Sequence, residues 1–309
     1  MVLSASRRTD IPSFYSQWLM NRLRAGYVLV RNPMNHAQVS RVALSSDAVD
    51  CIVFWTKDPV NLLDKLPEID AMGYRYYFQF TLTPYGKTLE PGLRDKADIV
   101  ETFVRLGELI GKDRIVWRYD PIVVSGELDA GYHVKRFAAL CGRLHPYAKY
   151  VNISFVDMYA KVRSKLIRPV TPGEMAEIAG RFAEIAAHFG LPVRACCEPD
   201  LLDCGIQPAS CIDKSLVEEL CGYRLNAVSD KNQRAGCRCV QSVDIGTYNT
   251  CAHGCAYCYA NASVKGAAAN RARHDPLGEF LLGGSLTGDR ITERRMVSLK
   301  ESQTGLFGG

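Results

Sequence analysis

The sequence predicts an α/β protein and, within that class, a TIM-like (β/α) barrel, full or partial. Two observations carry the expectation. Short apolar, β-branched or aromatic runs recur at 2–6, 51–56, 76–83, 115–119, 151–155, 192–195 and 242–247, and helical spacing fills stretches between them, clearest at 97–110, 132–144 and 172–189. Strands that alternate with helices read as parallel βαβ units, and seven of them suffice to close or nearly close a ring. The rival is an open doubly wound sheet, which usually carries a glycine-rich turn after its first strand. Here the first run leads into Ser6-Arg7-Arg8-Thr9-Asp10, with no glycine, and the barrel is favoured.

Each run ends in polar residues. Arg7, Arg8, Thr9 and Asp10 follow the first, and Lys57 and Asp58 follow the second. Thr81 and Thr83 close the third, Arg118 and Asp120 the fourth, Asp157 the fifth and Glu198 the sixth. In a parallel barrel these positions face one rim, where βα loops build the active site. Strand ends are polar in any protein, yet charged residues at the same place in successive units point to a shared site.

Composition bounds the rest. The chain has 309 residues, 47% apolar and 23% charged, close to an ordinary globular protein, so disorder and fibrous architectures are excluded. Net charge is +5, too mild to argue for nucleic acid, and no long arginine-rich stretch favours duplex binding. No apolar run reaches the roughly 18 residues of a membrane span, and the N-terminal residues lack the apolar stretch of a signal peptide. A cytoplasmic location with no membrane partner is expected. Thiols stay reduced there, so the twelve cysteines call for metal binding or catalysis rather than disulfides.

The most specific feature is Cys251-Ala-His-Gly-Cys255-Ala-Tyr-Cys258. Three thiolates at i, i+4 and i+7 can wrap one iron–sulfur cube and leave one iron with an open position. His253 and Gly254 fit a tight turn between the ligands. A zinc site needs a fourth ligand, for which His253 lies too near in sequence to be comfortable.

The spacing Cys-x3-Cys-x2-Cys, with an aromatic before the last cysteine, resembles the radical S-adenosylmethionine superfamily. The string from Tyr248 to Asn261 looks most like its spore photoproduct lyase branch. The resemblance implies a [4Fe-4S] cluster that holds S-adenosylmethionine and yields a 5′-deoxyadenosyl radical on reduction. It also implies an electron donor such as flavodoxin or ferredoxin. The substrate, a small molecule, nucleobase or nucleic acid, stays open. Phe54-Trp-Thr-Lys57-Asp-Pro, Tyr77-Phe-Gln-Phe-Thr81-Leu-Thr83 and Trp117-Arg118-Tyr-Asp-Pro121-Ile122 resemble successive strand ends of that branch, in order. The cysteine strand would come first in the superfamily but comes last here, so the resemblance implies a circularly permuted barrel. Permutation is tolerated where chain ends lie close together. Ser6-Arg-Arg-Thr-Asp10, Lys231-Asn-Gln-Arg234 and the closing cysteine block also resemble the family catalogued as domain of unknown function 1848.

By that resemblance Lys57 would contact the cofactor carboxylate, with Thr81 as the matching hydroxyl on the next strand. Lysine at a rim suits such a carboxylate on charge alone, the alternative being a solvated lysine next to Asp58. Arg118 could bind an anion or simply pair with Asp120. Arg7, Arg8 and Asp10 would lie beside the cluster strand. Tyr257 and Tyr259 could shield the cluster and stack on adenine, or only pack.

Cys51, Cys141 and Cys221 fall in apolar patterns and read as core. Cys196 or Cys197, Cys204, Cys211, Cys237 and Cys239 lie in loop-like sequence. Cys196, Cys211, Cys237 and Cys239 are the preferred quartet for a second [4Fe-4S] cluster or a zinc, and the tight Cys237-x-Cys239 spacing tilts toward iron–sulfur. Residues 1–260 are expected to form the barrel with both cysteine regions, and 261–309 a helix and a wrapping tail.

Overall fold

A computed structural model of the chain describes residues 1–158, 167–234 and 236–301. Runs that are apolar on both faces become its central strands, because a parallel sheet covered on both sides has no solvent face. β1 (Val2–Ala5), β4 (Cys51–Thr56), β5 (Tyr76–Thr81) and β7 (Tyr150–Phe155) are buried throughout. Between β1 and β4 lie α1 (Ile11–Phe14), α2 (Ser16–Ala25), β2 (Tyr27–Arg31) and β3 (Gln38–Ala43). α3 (Leu66–Ala71), α4 (Lys96–Ile110), β6 (Ile115–Ile122) and α5 (Ala130–Leu144) lead on to β7. Then follow α6 (Pro172–His188), β8 (Val193–Ala195), β9 (Gln207–Pro208), α7 (Lys214–Cys221), β10 (Ser242–Asp244), α8 (Val264–Ala272) and β11 (Arg290–Arg294).

The main sheet has eight strands in the order β10-β1-β4-β5-β6-β7-β8-β9, and every pair is parallel. The fold is therefore α/β with a central parallel sheet, as expected. Among the described residues β10 and β9 are its two edges. The late strand β10 pairs with the first strand, Val2 opposite Ser242 and Ser4 opposite Asp244.

Helix boundaries follow local chemistry. Thr171 and Glu174 form a reciprocal capping box at the start of α6, with Pro172 in its first turn. Asp129 caps α5 through the Tyr132 amide, and Gly26 ends α2 at φ +74°.

The two faces of the sheet carry different cores. Ile52, Phe54, Phe78, Trp117, Val151 and Ile153 pack into the larger one with residues of α4, α5 and α6. The alternate residues Val53, Trp55, Tyr77, Val116 and Tyr150 meet Ile212, Leu216, Val217, Cys221 and Val240. The second face is thus covered by the chain's own 211–240 segment. A smaller sheet, β11-β3-β2, was not expected from sequence. Its strands are partly or wholly exposed, and only β2 contains a continuous apolar run, the four residues 27–30. Through it the tail is tied by parallel pairing of β11 with β3, while residues 302–309 of the predicted tail lie outside the described residues.

Candidate functional site

The polar residues that end the strands do converge. Arg7, Arg8, Thr9, Asp10, Lys57, Thr81, Arg118, Asp120 and Asp157 line one cavity of about 870 Å³. Asp58, Thr83 and Glu198 are turned to other work. Asp58 holds Arg94 at 2.6 and 2.8 Å, Thr83 bonds Glu90 at 2.9 Å, and Glu198 accepts from the Phe155 amide at 3.3 Å.

Cys251, Cys255 and Cys258 line the same cavity as Lys57. Their loop is fixed from three sides. The Gly92 amide donates to the His253 carbonyl at 2.9 Å, Ala256 donates to the Leu89 carbonyl at 2.9 Å, and the Tyr15 hydroxyl donates to the Thr250 carbonyl at 2.6 Å. Gly92 has no room for a side chain, since a Cβ there would stand 2.5 Å from the Ala252 carbonyl oxygen. Gly254 sits at φ +67°, the conformation expected of the turn between the ligands. His253 is buried and held by Asp10 through Nε2 at 2.8 Å, while its Nδ1 has no protein partner. Asp10 also caps α1 and accepts from the Lys57 amide at 2.7 Å. Its carboxylate therefore fixes the cysteine loop against two strand ends.

Lys57 is neither solvated nor paired with Asp58. Its ammonium contacts Glu90 at 2.7 Å. Glu90 is 1% exposed and also receives bonds from Thr83, Lys96 and the Tyr257 hydroxyl. Burial opposes the charge on Glu90, but Lys57 and Lys96 outweigh it and hold the carboxyl down at about 2. Burial likewise works against the Lys57 ammonium, and Glu90 more than restores it, so its pKa is raised. Sequence reading missed Glu90. A single carboxylate in Leu89-Glu90-Pro91 carries no pattern, and its cationic partners meet it only through the fold. Tyr257 is engaged by Glu90 and packs near Tyr85 and Lys57.

Arg118 pairs with Asp120 and donates to Thr81 Oγ1 at 3.3 Å, yet its Nε has no protein partner. Arg7 and Arg118 lie over the Trp55 ring, each 5.1 Å from its centroid. Arg8 reaches the Gly246 carbonyl at 3.3 Å. Asp244, unnoticed in the sequence, accepts from Ser4, Ser6, Arg7 and Gly246 at 2.6–2.9 Å and ties the end of β10 to that of β1.

The second cysteine set opens onto the same cavity, which Cys196, Cys197, Cys211, Cys237 and Cys239 also line. Cys196 and Cys211 have their sulfurs 3.8 Å apart, and Cys239 accepts from the Ile212 amide at 3.3 Å. The pKa of Cys239 is lowered by Cys211, by Cys237 and, after them, by Arg7. Cys51, Cys141 and Cys221 are buried, as core residues should be. Cys204 lies apart and points to the Ala176 carbonyl at 3.9 Å.

Among the described residues no three His, Cys, Asp or Glu side chains already stand as a finished ion cage. The donor chemistry nevertheless fits a cluster. Burial, first, keeps the Cys251 and Cys255 thiols up, the latter at about 12, so in the free protein they hold protons that a metal would displace. His253, the nearest nitrogen donor in the loop, already gives Nε2 to Asp10.

Fold and site together define an α/β protein with a thiol-rich cavity at the ends of its parallel strands. The chain belongs to the family described as Domain of unknown function (DUF1848), which it matches over residues 2–260. No curated protein matches it. Among the described residues no helix is long and apolar enough to cross a membrane.

Proposed function

We propose that the chain is a radical S-adenosylmethionine enzyme on a circularly permuted (β/α) barrel scaffold. The observation that carries this reading is the opening of Cys251, Cys255, Cys258 and Lys57 onto one cavity. Those three cysteines would hold a [4Fe-4S] cluster. When bound, the cluster supplies the electron that cleaves S-adenosylmethionine reductively.

The chain's own residues orient and shield. Asp10 and Gly92 hold the cysteine loop still through His253. Glu90 fixes the Lys57 ammonium and the Tyr257 ring at the cavity wall. Arg118 offers an unpartnered Nε, and Thr81 and Arg8 flank the same space, so carboxylate and hydroxyl groups of a ligand meet cations there. A cavity of about 870 Å³ suits a cofactor with a small partner such as a nucleoside better than a duplex. Flavodoxin or ferredoxin is the class of electron donor in this reading, with a cytoplasmic setting.

Anaerobic reconstitution followed by dithionite and S-adenosylmethionine should release 5′-deoxyadenosine, read by mass spectrometry. A protein fully loaded with iron that releases none overturns the proposal. An electron-transfer or redox-sensing protein on the same scaffold would show a cluster EPR signal that S-adenosylmethionine leaves unchanged.

A further inference from the structure

We propose that Cys196, Cys211, Cys237 and Cys239 bind one zinc-like metal ion that stitches together the two free edges of the main sheet. This site is independent of the reading given to Cys251, Cys255 and Cys258.

One sulfur spacing favours a single ion over a cube. A tetrahedral tetrathiolate with zinc–sulfur bonds of about 2.3 Å has sulfurs about 3.8 Å apart. Cys196 and Cys211 stand at 3.8 Å. In a cube each thiolate binds a different iron, so its sulfurs must lie further apart. Cys237 and Cys239 line the same cavity as this pair, so all four thiols open on one space, although among the described residues no three of them are drawn up around an ion. The Ile212 amide donates to Cys239 at 3.3 Å, the kind of outer hydrogen bond that orients a metal-bound thiolate. Cys197 lies 3.9 Å from Cys196 but turns to Arg234, and is the odd fifth thiol.

Charge agrees. A divalent ion with four thiolates carries two negative charges. Arg7 lines the same cavity as these thiols and keeps a buried N–H, at Nη2, without a protein partner. Arg118 is paired closely with Asp120, but Arg7 has its carboxylate, Asp230, only at 3.8 Å. An anionic metal centre supplies the missing counter-charge.

Position gives the role. Cys196 follows β8, Cys211 follows β9, and Cys237 and Cys239 precede β10. β9 and β10 are the opposite edges of the sheet. One ion therefore ties both edges, and the 211–240 segment between them, into one wall of the cavity.

The test is zinc and iron per chain by mass spectrometry on anaerobically purified protein. About one zinc per chain is expected in the wild type, in the Cys251/Cys255/Cys258 triple alanine variant and in Cys197→Ala. Cys239→Ala should lose about tenfold or more of that zinc. Because Cys239→Ala can fail to fold, cobalt(II) is also exchanged into the wild type. Intense visible bands with sulfur-to-cobalt charge transfer are expected of a tetrahedral tetrathiolate. Absence of zinc from the wild type, a weak octahedral cobalt spectrum, or about four irons persisting in the triple variant would each overturn the proposal. Failure to form 5′-deoxyadenosine leaves it standing, so the two readings fall separately.

Discussion

The two groups of cysteines share a cavity but are built in opposite ways. Cys251, Cys255 and Cys258 come from one short loop that the rest of the protein holds in place through Gly92, Tyr15 and Asp10. Cys196, Cys211, Cys237 and Cys239 come from three separate stretches that meet only because residues 211–240 cross one face of the sheet. A local loop can present ligands with little help from topology. A dispersed set is itself part of the topology, so its loss should cost structure as well as metal.

The comparison breaks most openly at the local loop. Replacing Cys251, Cys255 and Cys258 by alanine should abolish 5′-deoxyadenosine formation and remove about four irons per chain, measured by product assay and iron analysis. Next in size is Glu90→Gln. It leaves the half-buried Lys57 and Lys96 without their carboxylate and should cost about 3 kcal/mol in denaturant unfolding. The same variant has a pH signature. Glu90 titrates near 2 when folded against an ordinary 4.5, so its stabilisation is complete above about pH 4.5 and is lost as pH falls through about 2. Glu90→Gln should flatten the acid limb of the stability curve within that window, and an unchanged limb would show that the lysines are held otherwise.

Gly92→Ala sharpens the contrast at smaller scale. Its Cβ would press on backbone oxygens of residues 252 and 253 at 2.5 and 2.7 Å, and neither can rotate away. A cost of about 1–3 kcal/mol is expected, with reduced iron loading but unchanged zinc. Tyr15→Phe should cost least, about 1 kcal/mol, by removing the 2.6 Å bond to the Thr250 carbonyl. Thermal melts check both.

Legibility in the sequence followed the same divide. The run at 51–56 is apolar without interruption, and β4 occupies the same residues. Arg7, Lys57, Thr81 and Arg118 could be placed at one rim because parallel strands repeat the same polarity at their ends, and they do share a cavity. β11 escaped notice because Arg290–Arg294, exposed at every position, carries no apolar period, whereas β2 was missed despite its apolar run at 27–30. Glu90 escaped because nothing local marks a carboxylate whose partners lie at positions 57, 83, 96 and 257. The cover on the second face of the sheet was equally hidden. Leu216, Leu220 and Cys221 read as a helical pattern, and only the assembled sheet shows what they meet.

The pairing of β10 with β1 has a consequence during synthesis. Val2 through Ser4 leave the ribosome some 240 residues ahead of their partners at 242–244. Throughout that interval the nascent chain carries an apolar strand with a bare hydrogen-bonding edge. Contacts so distant in sequence slow folding and leave such edges open to foreign strands. Expression at low temperature, or in the presence of holdase chaperones, should therefore raise the soluble yield of this protein.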